Sequence, residues 1–140
     1  MPCQEVNILQ TLVKLARDLK ELGKLVPNQP TTEKDLHNII HIYLHSKGYY
    51  VEYKGKPGKR NTVDFIVENA IGIEAKHAKT SLDIDKVVGQ AIRYKNNYRL
   101  DTVILLIYTA NPHTKNTIKQ KLLTLRKFLE KEQIIPIIVP

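Results

Sequence analysis

Asp64, Glu74 and Lys76 stand in a stretch, "TVDFIVENAIGIEAKHAK" (residues 62–79), that is otherwise rich in Val, Ile and Ala. If the three side chains meet, the two carboxylates repel by roughly 4 kcal/mol at a separation of about 4 Å and an effective dielectric of about 20. One ammonium offsets part of that repulsion, and a divalent cation offsets more. The ligand set is all oxygen, from Asp64, Glu74 and the Ala75 carbonyl, which favours Mg²⁺ or Mn²⁺. Such an ion polarises a phosphate and acidifies an attacking water. Lys76 then orients or deprotonates that water, or offsets charge growing on the phosphate. The plain alternative is a solvent-facing row of salt bridges on an edge strand.

Convergence depends on strand register. Side chains alternate along a strand, so Glu74 and Lys76 share a face and Ala75 takes the other. Asp64 sits directly opposite Glu74 if the connecting loop is the odd-numbered Glu68-Asn69-Ala70. A two-residue Asn69-Ala70 turn sends Asp64 to the far face unless a bulge corrects it.

The surrounding elements follow from periodicity. Residues 4–26 form an amphipathic helix with Ile8, Leu12, Leu15, Leu19, Leu22 and Val26 in a heptad seam, ended at Pro27. That seam fits a helix packed on its own domain and a homodimer contact equally well. A second helix starts near Thr31 or Thr32, with Thr32 and Asp35 spaced as a capping box. Leu36, Ile39, Ile40, Tyr43 and Leu44 form its buried stripe, and Gly48 ends it. Three strands follow, at Tyr49–Lys54, Thr62–Glu68 and Ile71–Lys76. A third helix spans Ser81 to Asn97, and the apolar run Thr102–Tyr108 reads as a central strand buried on both faces. Asn111-Pro112 opens a fourth helix with Ile118, Leu122, Leu125 and Leu129 inward. "IIPIIV" closes the chain as a short strand that Pro136 pushes to a sheet edge. The expected class is α/β: a helix, then α-β-β-β-α-β-α-β. Residues 1–30 read as the amphipathic helix and a linker, and residues 31–140 as one domain.

Asp64, nine intervening residues, then Glu74-Ala75-Lys76 on adjacent strands after a helix resembles the PD-(D/E)xK nuclease superfamily. The resemblance covers roughly residues 31–140, and Val63 stands where that family often has Pro. It implies a restriction-endonuclease-like core, α-β-β-β-α-β around a mixed sheet, with the first helix and the last helix and strand as additions. It also implies that Asp64 and Glu74 bind Mg²⁺ or Mn²⁺ and that Lys76 serves the nucleophile.

Two further features agree. Glu33 lies eleven residues before Leu44, close to three helical turns, and so prolongs the Leu36/Ile40/Leu44 stripe. It is either a first-turn acid favoured by the helix dipole or the helix-borne acid that this superfamily uses to hold metal, directly or through water. Gln90 and Tyr94, one turn apart on the third helix, resemble the Gln-x-x-x-Tyr pair of the RecB-like branch, associated there with the active site. A capping Gln and a snorkelling Tyr explain the same pair without chemistry.

Around these residues the chain is basic: 22 Lys and Arg against 14 Asp and Glu give +8. Such a charge suits a polyanion, nucleic acid above all, although a highly charged soluble surface is the bland reading. "KGKPGKR" supplies Lys54, Lys56, Lys59 and Arg60 just before the Asp64 strand, and Lys79 extends the patch. A loop of this kind grips phosphates without reading sequence. Tyr49, Tyr50 and Tyr53 read as strand packing rather than a stacking platform. His37, His41 and His45 recur every four residues. That spacing invites a zinc reading; a polar helix flank is simpler, with His37 behind the metal ligands. His77 points to the face opposite Lys76 and reads as packing.

One cysteine excludes a disulfide framework, a thiolate zinc site and a cysteine-held iron–sulfur cluster within one chain. No apolar run approaches the roughly eighteen residues of a membrane span, and Met1-Pro2-Cys3-Gln4-Glu5 lacks a signal-peptide pattern, so an intracellular, cytoplasmic protein is expected. The leading expectation is a metal-dependent DNA nuclease, an endonuclease, with RNA still open as substrate. The alternatives are a catalytically silent nucleic-acid-binding or structural subunit, and a Holliday junction resolvase.

Overall fold

The computed structural model describes residues 2–25, 32–55, 62–109 and 111–139, with side chains of the first helix from Ile8 onward. A five-stranded mixed sheet in the order β1-β2-β3-β4-β5 lies between two layers of helices. Strands β1 (Val51–Tyr53), β2 (Phe65–Val67) and β3 (Ile71–His77) are antiparallel neighbours. Strands β4 (Thr102–Tyr108) and β5 (Ile134–Val139) continue the sheet in parallel. Parallel neighbours need long crossovers. Here α3 (Leu82–Asn97) joins β3 to β4, and α4 (Pro112–Thr124) with α5 (Arg126–Lys131) joins β4 to β5.

The helix α1 (Pro2–Leu25) and α2 (Glu33–Ser46) cover one face. Leu15, Leu19 and Leu22 of α1 pack with Leu36, Ile40 and Leu44 of α2 onto Phe65, Val67, Ile71, Ile73 and Ile104. The seam of α1 is thus used on its own sheet. On the other face, Ile84, Val87, Val88 and Ala91 of α3 and Ile118 of α4 meet Ile66, Val103, Leu105 and Ile107. Burial on both faces explains why β4 is apolar along nearly its whole length: all seven of its residues are buried.

The ends of α2 form as its sequence signals. Thr32 accepts a hydrogen bond from the Asp35 N–H at 3.1 Å. At the far end Gly48 takes φ +86, its N–H donating to His45 O while the Tyr49 N–H donates to Leu44 O. That paired closure needs a left-handed residue, which glycine supplies without strain.

Three expectations differ in extent. The strands expected at Tyr49–Lys54 and Thr62–Glu68 shrink to three residues each; on one side the regular ladder ends at Tyr53 and Phe65, where the Lys54 and Gly55 N–H groups both turn to Asp64 O. The last helix expected as one piece breaks at Leu125. Just before the break the Thr124 hydroxyl donates to Lys121 O at 2.7 Å, a local bond that competes with the helix ladder. Ile118, Leu122 and Leu129 still face inward, with Leu125 packed at the edge of their cluster.

Candidate functional site

The β2–β3 connection is the three-residue Glu68-Asn69-Ala70, with Glu68 and Asn69 at φ 53 and 58. Phe65 pairs with Ile73, Ile66 with Gly72 and Val67 with Ile71, so one residue further out Asp64 lies opposite Glu74. The odd loop therefore gives the register that brings the two carboxylates together. Ala75 packs into the cluster under α1 and α2, which leaves Glu74 and Lys76 on the opposite side of β3.

Both carboxylates are buried, Asp64 at 8% exposure and Glu74 at 6%. Asp64 Oδ2 accepts the Ala75 N–H at 2.9 Å. The N–H and C=O of one strand residue point the same way, so the Ala75 carbonyl lies on the Asp64 side as well. His37, on α2, places Nε2 3.2 Å from Asp64 Oδ2. That contact lies off the ring N–H direction, so it is an attraction of charges when the ring is protonated and not a formed hydrogen bond. The other ring nitrogen, Nδ1, is 3.0 Å from the Tyr53 hydroxyl, which itself donates to Gly55 O at 2.8 Å.

The two carboxyls are shifted in opposite directions. Burial drives the Glu74 carboxyl up to about 11, and the hydrogen bond to Asp64 and the charges of Asp64 and Glu33 push the same way against Lys76. Burial also raises Asp64, but the His37 ring, the proton donated by Glu74 and the Ala75 N–H together hold it below its usual range. Glu74 Oε2 is buried and has no hydrogen-bond partner among the described residues. An acceptor-only oxygen without a donor, beside a second carboxylate, is the kind of vacancy in polar satisfaction that a cation fills. Asp64, Glu74 and the Ala75 carbonyl are thus the groups suited to Mg²⁺ or Mn²⁺.

Glu33 and Lys76 form an ion pair with each other at 3.2 Å, which puts Glu33 at the rim of the site. Among the described residues, no three His, Cys, Asp or Glu side chains are gathered into one metal-ligating group. Tyr94, buried on α3, faces the carboxylates: burial raises its hydroxyl first, and the charges of Glu74 and Asp64 add to that. Gln90 is half-buried one turn earlier on the same helix. The site is therefore the end of the β2–β3 hairpin, approached by the first turn of α2 from one side and by α3 from the other.

The basic groups are less gathered. Lys54 pairs with Glu52 at 3.2 Å, and Lys79 is exposed at the entry to α3, where the Lys79 and Thr80 N–H groups bind Asp83 Oδ2. Lys56, Lys59 and Arg60 lie outside the described residues. Tyr53 stacks on its cross-strand partner Phe65 at 5.0 Å, and His77 tilts over Tyr108 at 5.2 Å, both as packing. His41 lies among the rings of His45, Tyr53 and Phe65.

His37, read from the sequence as standing behind the metal ligands, touches Asp64 directly, whereas the part played by Tyr53 was not anticipated. One signal was present: His37 follows Glu33 by four residues, so the two share a helix face. No helix among the described residues is long and apolar enough to cross a membrane. No family model matches the chain, and neither a curated protein nor a solved structure matches it significantly.

Proposed function

We propose that this chain is a metal-dependent nuclease that hydrolyses phosphodiester bonds in DNA, on a restriction-endonuclease-like version of its α/β fold. The observation that carries the reading is the placement of Asp64 opposite Glu74, both buried, with Lys76 two residues further along β3. The order α2, β1, β2, β3, α3, β4 and the resemblance of these residues to the PD-(D/E)xK motif support it. The formal charge of +8 suits the polyanionic substrate.

A divalent cation held by Asp64, Glu74 and the Ala75 carbonyl would polarise the scissile phosphate and acidify the attacking water. The remaining steps belong to side chains. Asp64 is fixed by the Ala75 N–H, with the His37 ring beside it, so its carboxylate needs little reorganisation. Holding a cation there would require Glu74 to give up its proton to solvent. Lys76, steadied by Glu33, offers its ammonium to the oxygens on which charge develops and orients the water. Tyr94 and Gln90 close the α3 side and limit access of bulk water.

The test incubates the protein with single-stranded, duplex and four-way-junction DNA, with and without Mg²⁺ or Mn²⁺, beside Lys76→Ala and Asp64→Asn. Metal-dependent cutting by the wild type alone is the expected result. Equal binding by all three proteins without cutting would instead support a silent nucleic-acid-binding subunit.

A further inference from the structure

Asp64 is also held through its main chain, by contacts that the nuclease reading does not use. Where β1 runs out, the N–H groups of both Lys54 and Gly55 donate to the single carbonyl of Asp64, at 2.8 and 3.1 Å. Two residues on one strand facing one on its antiparallel partner is the hydrogen-bond pattern of a β-bulge, a feature that re-aims the side chain beside it. The side chain beside it here is the Asp64 carboxylate. Gly55 leaves room beside that group: a Cβ at Gly55 would lie 2.8 Å from Asp64 Oδ1, 3.2 Å from Asp64 Cα and 3.1 Å from the Tyr53 ring. Any side chain at position 55 therefore displaces the carboxylate or the ring.

Tyr53 completes the clamp. Its hydroxyl donates to Gly55 O at 2.8 Å and meets His37 Nδ1 at 3.0 Å, while His37 Nε2 reaches Asp64 Oδ2 at 3.2 Å. Its ring is fixed by stacking on Phe65. One hydroxyl thus ties the bulge to the imidazole that faces the carboxylate. The backbone of Gly55 has no left-handed φ, so a glycine is not required there for backbone conformation.

We infer that Gly55 and Tyr53 are positioning residues, and that the Lys54–Gly55 bulge aims Asp64 at the cation site. The inference rests on the proposed cation site and deepens it.

The experiment measures Mn²⁺ binding to the full chain by titration calorimetry, with thermal unfolding recorded on each protein. Wild type, Asp64→Asn, Gly55→Ala, Tyr53→Phe and Gly89→Ala are compared. Gly89 is exposed on α3 and a Cβ there meets nothing within 4 Å, so Gly89→Ala reports any general effect of replacing a glycine. The expected result is that Asp64→Asn abolishes binding and Gly89→Ala leaves it unchanged. Gly55→Ala and Tyr53→Phe should each weaken it about 10-fold, the usual effect of removing a group that orients a metal ligand. Tyr53→Phe keeps the ring on Phe65, so it carries the test if Gly55→Ala fails to fold. Wild-type affinity in a folded Tyr53→Phe or Gly55→Ala overturns the clamp and leaves the cation site standing. Absence of Mn²⁺ binding by the wild type overturns the cation site, and the clamp with it.

Discussion

Strands β3 and β4 lie side by side in register, each seven residues long, yet they obey different rules. Ile104 of β4 neighbours Ile73 of β3, as a buried sheet asks, whereas Leu105 neighbours Glu74. Both positions are buried, so the environment that suits Leu105 raises the energy of any charge on Glu74. Folding alone gives no reason for a carboxyl there, and a second one from Asp64 makes the placement worse. Such a break in local consistency, confined to one end of one hairpin, is where function is expected to override stability.

The two strands should respond to substitution in opposite ways. Asp64→Asn should lower metal-dependent cleavage on the order of 10³-fold, equivalent to about 4 kcal/mol of barrier, while leaving thermal stability nearly unchanged. Ile104→Ala, at a site with no solvent exposure, should do the reverse. It is expected to cost about 3 kcal/mol in denaturant unfolding, with cleavage per folded molecule preserved. If Asp64→Asn unfolds the protein as readily as Ile104→Ala, the carboxylates are structural and the contrast between the strands is lost.

The opposite shifts of the two carboxyls give a finer test, in pH. Glu74 rises from 4.5 to about 11, so its contribution to metal-free stability is complete below 4.5 and is lost as pH climbs toward 11. Asp64 falls below 3.8, so its contribution is present above that value and is lost on acidification. Metal-free protein should therefore be most stabilised by this pair near pH 4 to 5 and weaken above it, by at most about 1.4 kcal/mol per unit. Glu74→Gln keeps the shape without the titration and should flatten that slope in urea midpoints measured from pH 5 to 9. Mn²⁺ affinity of the wild type should rise over the same range, because the cation competes with the Glu74 proton. A slope identical in wild type and Glu74→Gln would show that the proton sits elsewhere.

What could be read from the sequence divides along the same line. The run Thr102–Tyr108 announces β4 because burial on both faces leaves almost no polar alternation, and Gly48 announces the end of α2 because so few residues accept a positive φ. The meeting of Asp64 and Glu74 was readable only as a condition on loop parity, which the three residues Glu68-Asn69-Ala70 satisfy. The break at Leu125 was not, since the apolar pattern runs on through it and the Thr124 hydroxyl bond beside it leaves no mark in that pattern. Nor was the clamp on Asp64. It joins His37, Tyr53 and Gly55 from separate elements, and nothing local in the chain records which helix lies over which strand. The Leu-rich seam of α1 left two partners open; the buried Leu15, Leu19 and Leu22 show the sheet as one that it has taken.

The smallest expected effect concerns the first turn of α2, which carries Glu33 and, one turn on, His37. Thr32 Oγ1 satisfies the Asp35 N–H, one of the four N–H groups that a helix start leaves without an internal partner. Thr32→Ala exposes that N–H to water, so the loss is that of a cap and not of a buried bond: about 1 kcal/mol, or roughly 4 °C in Tm for a chain of this size. Thr32→Asp should restore it, because a carboxylate accepts the same bond and suits the positive end of the helix dipole. The effect on cleavage should be smaller than on Tm. Glu33 meets Lys76 at the rim, but His37 lies a full turn inside and is anchored by Tyr53, so fraying at Thr32 does not reach Asp64. A loss of cleavage larger than the loss of folded protein would mean that the Glu33–Lys76 pair, rather than the clamp on Asp64, sets the geometry of the site.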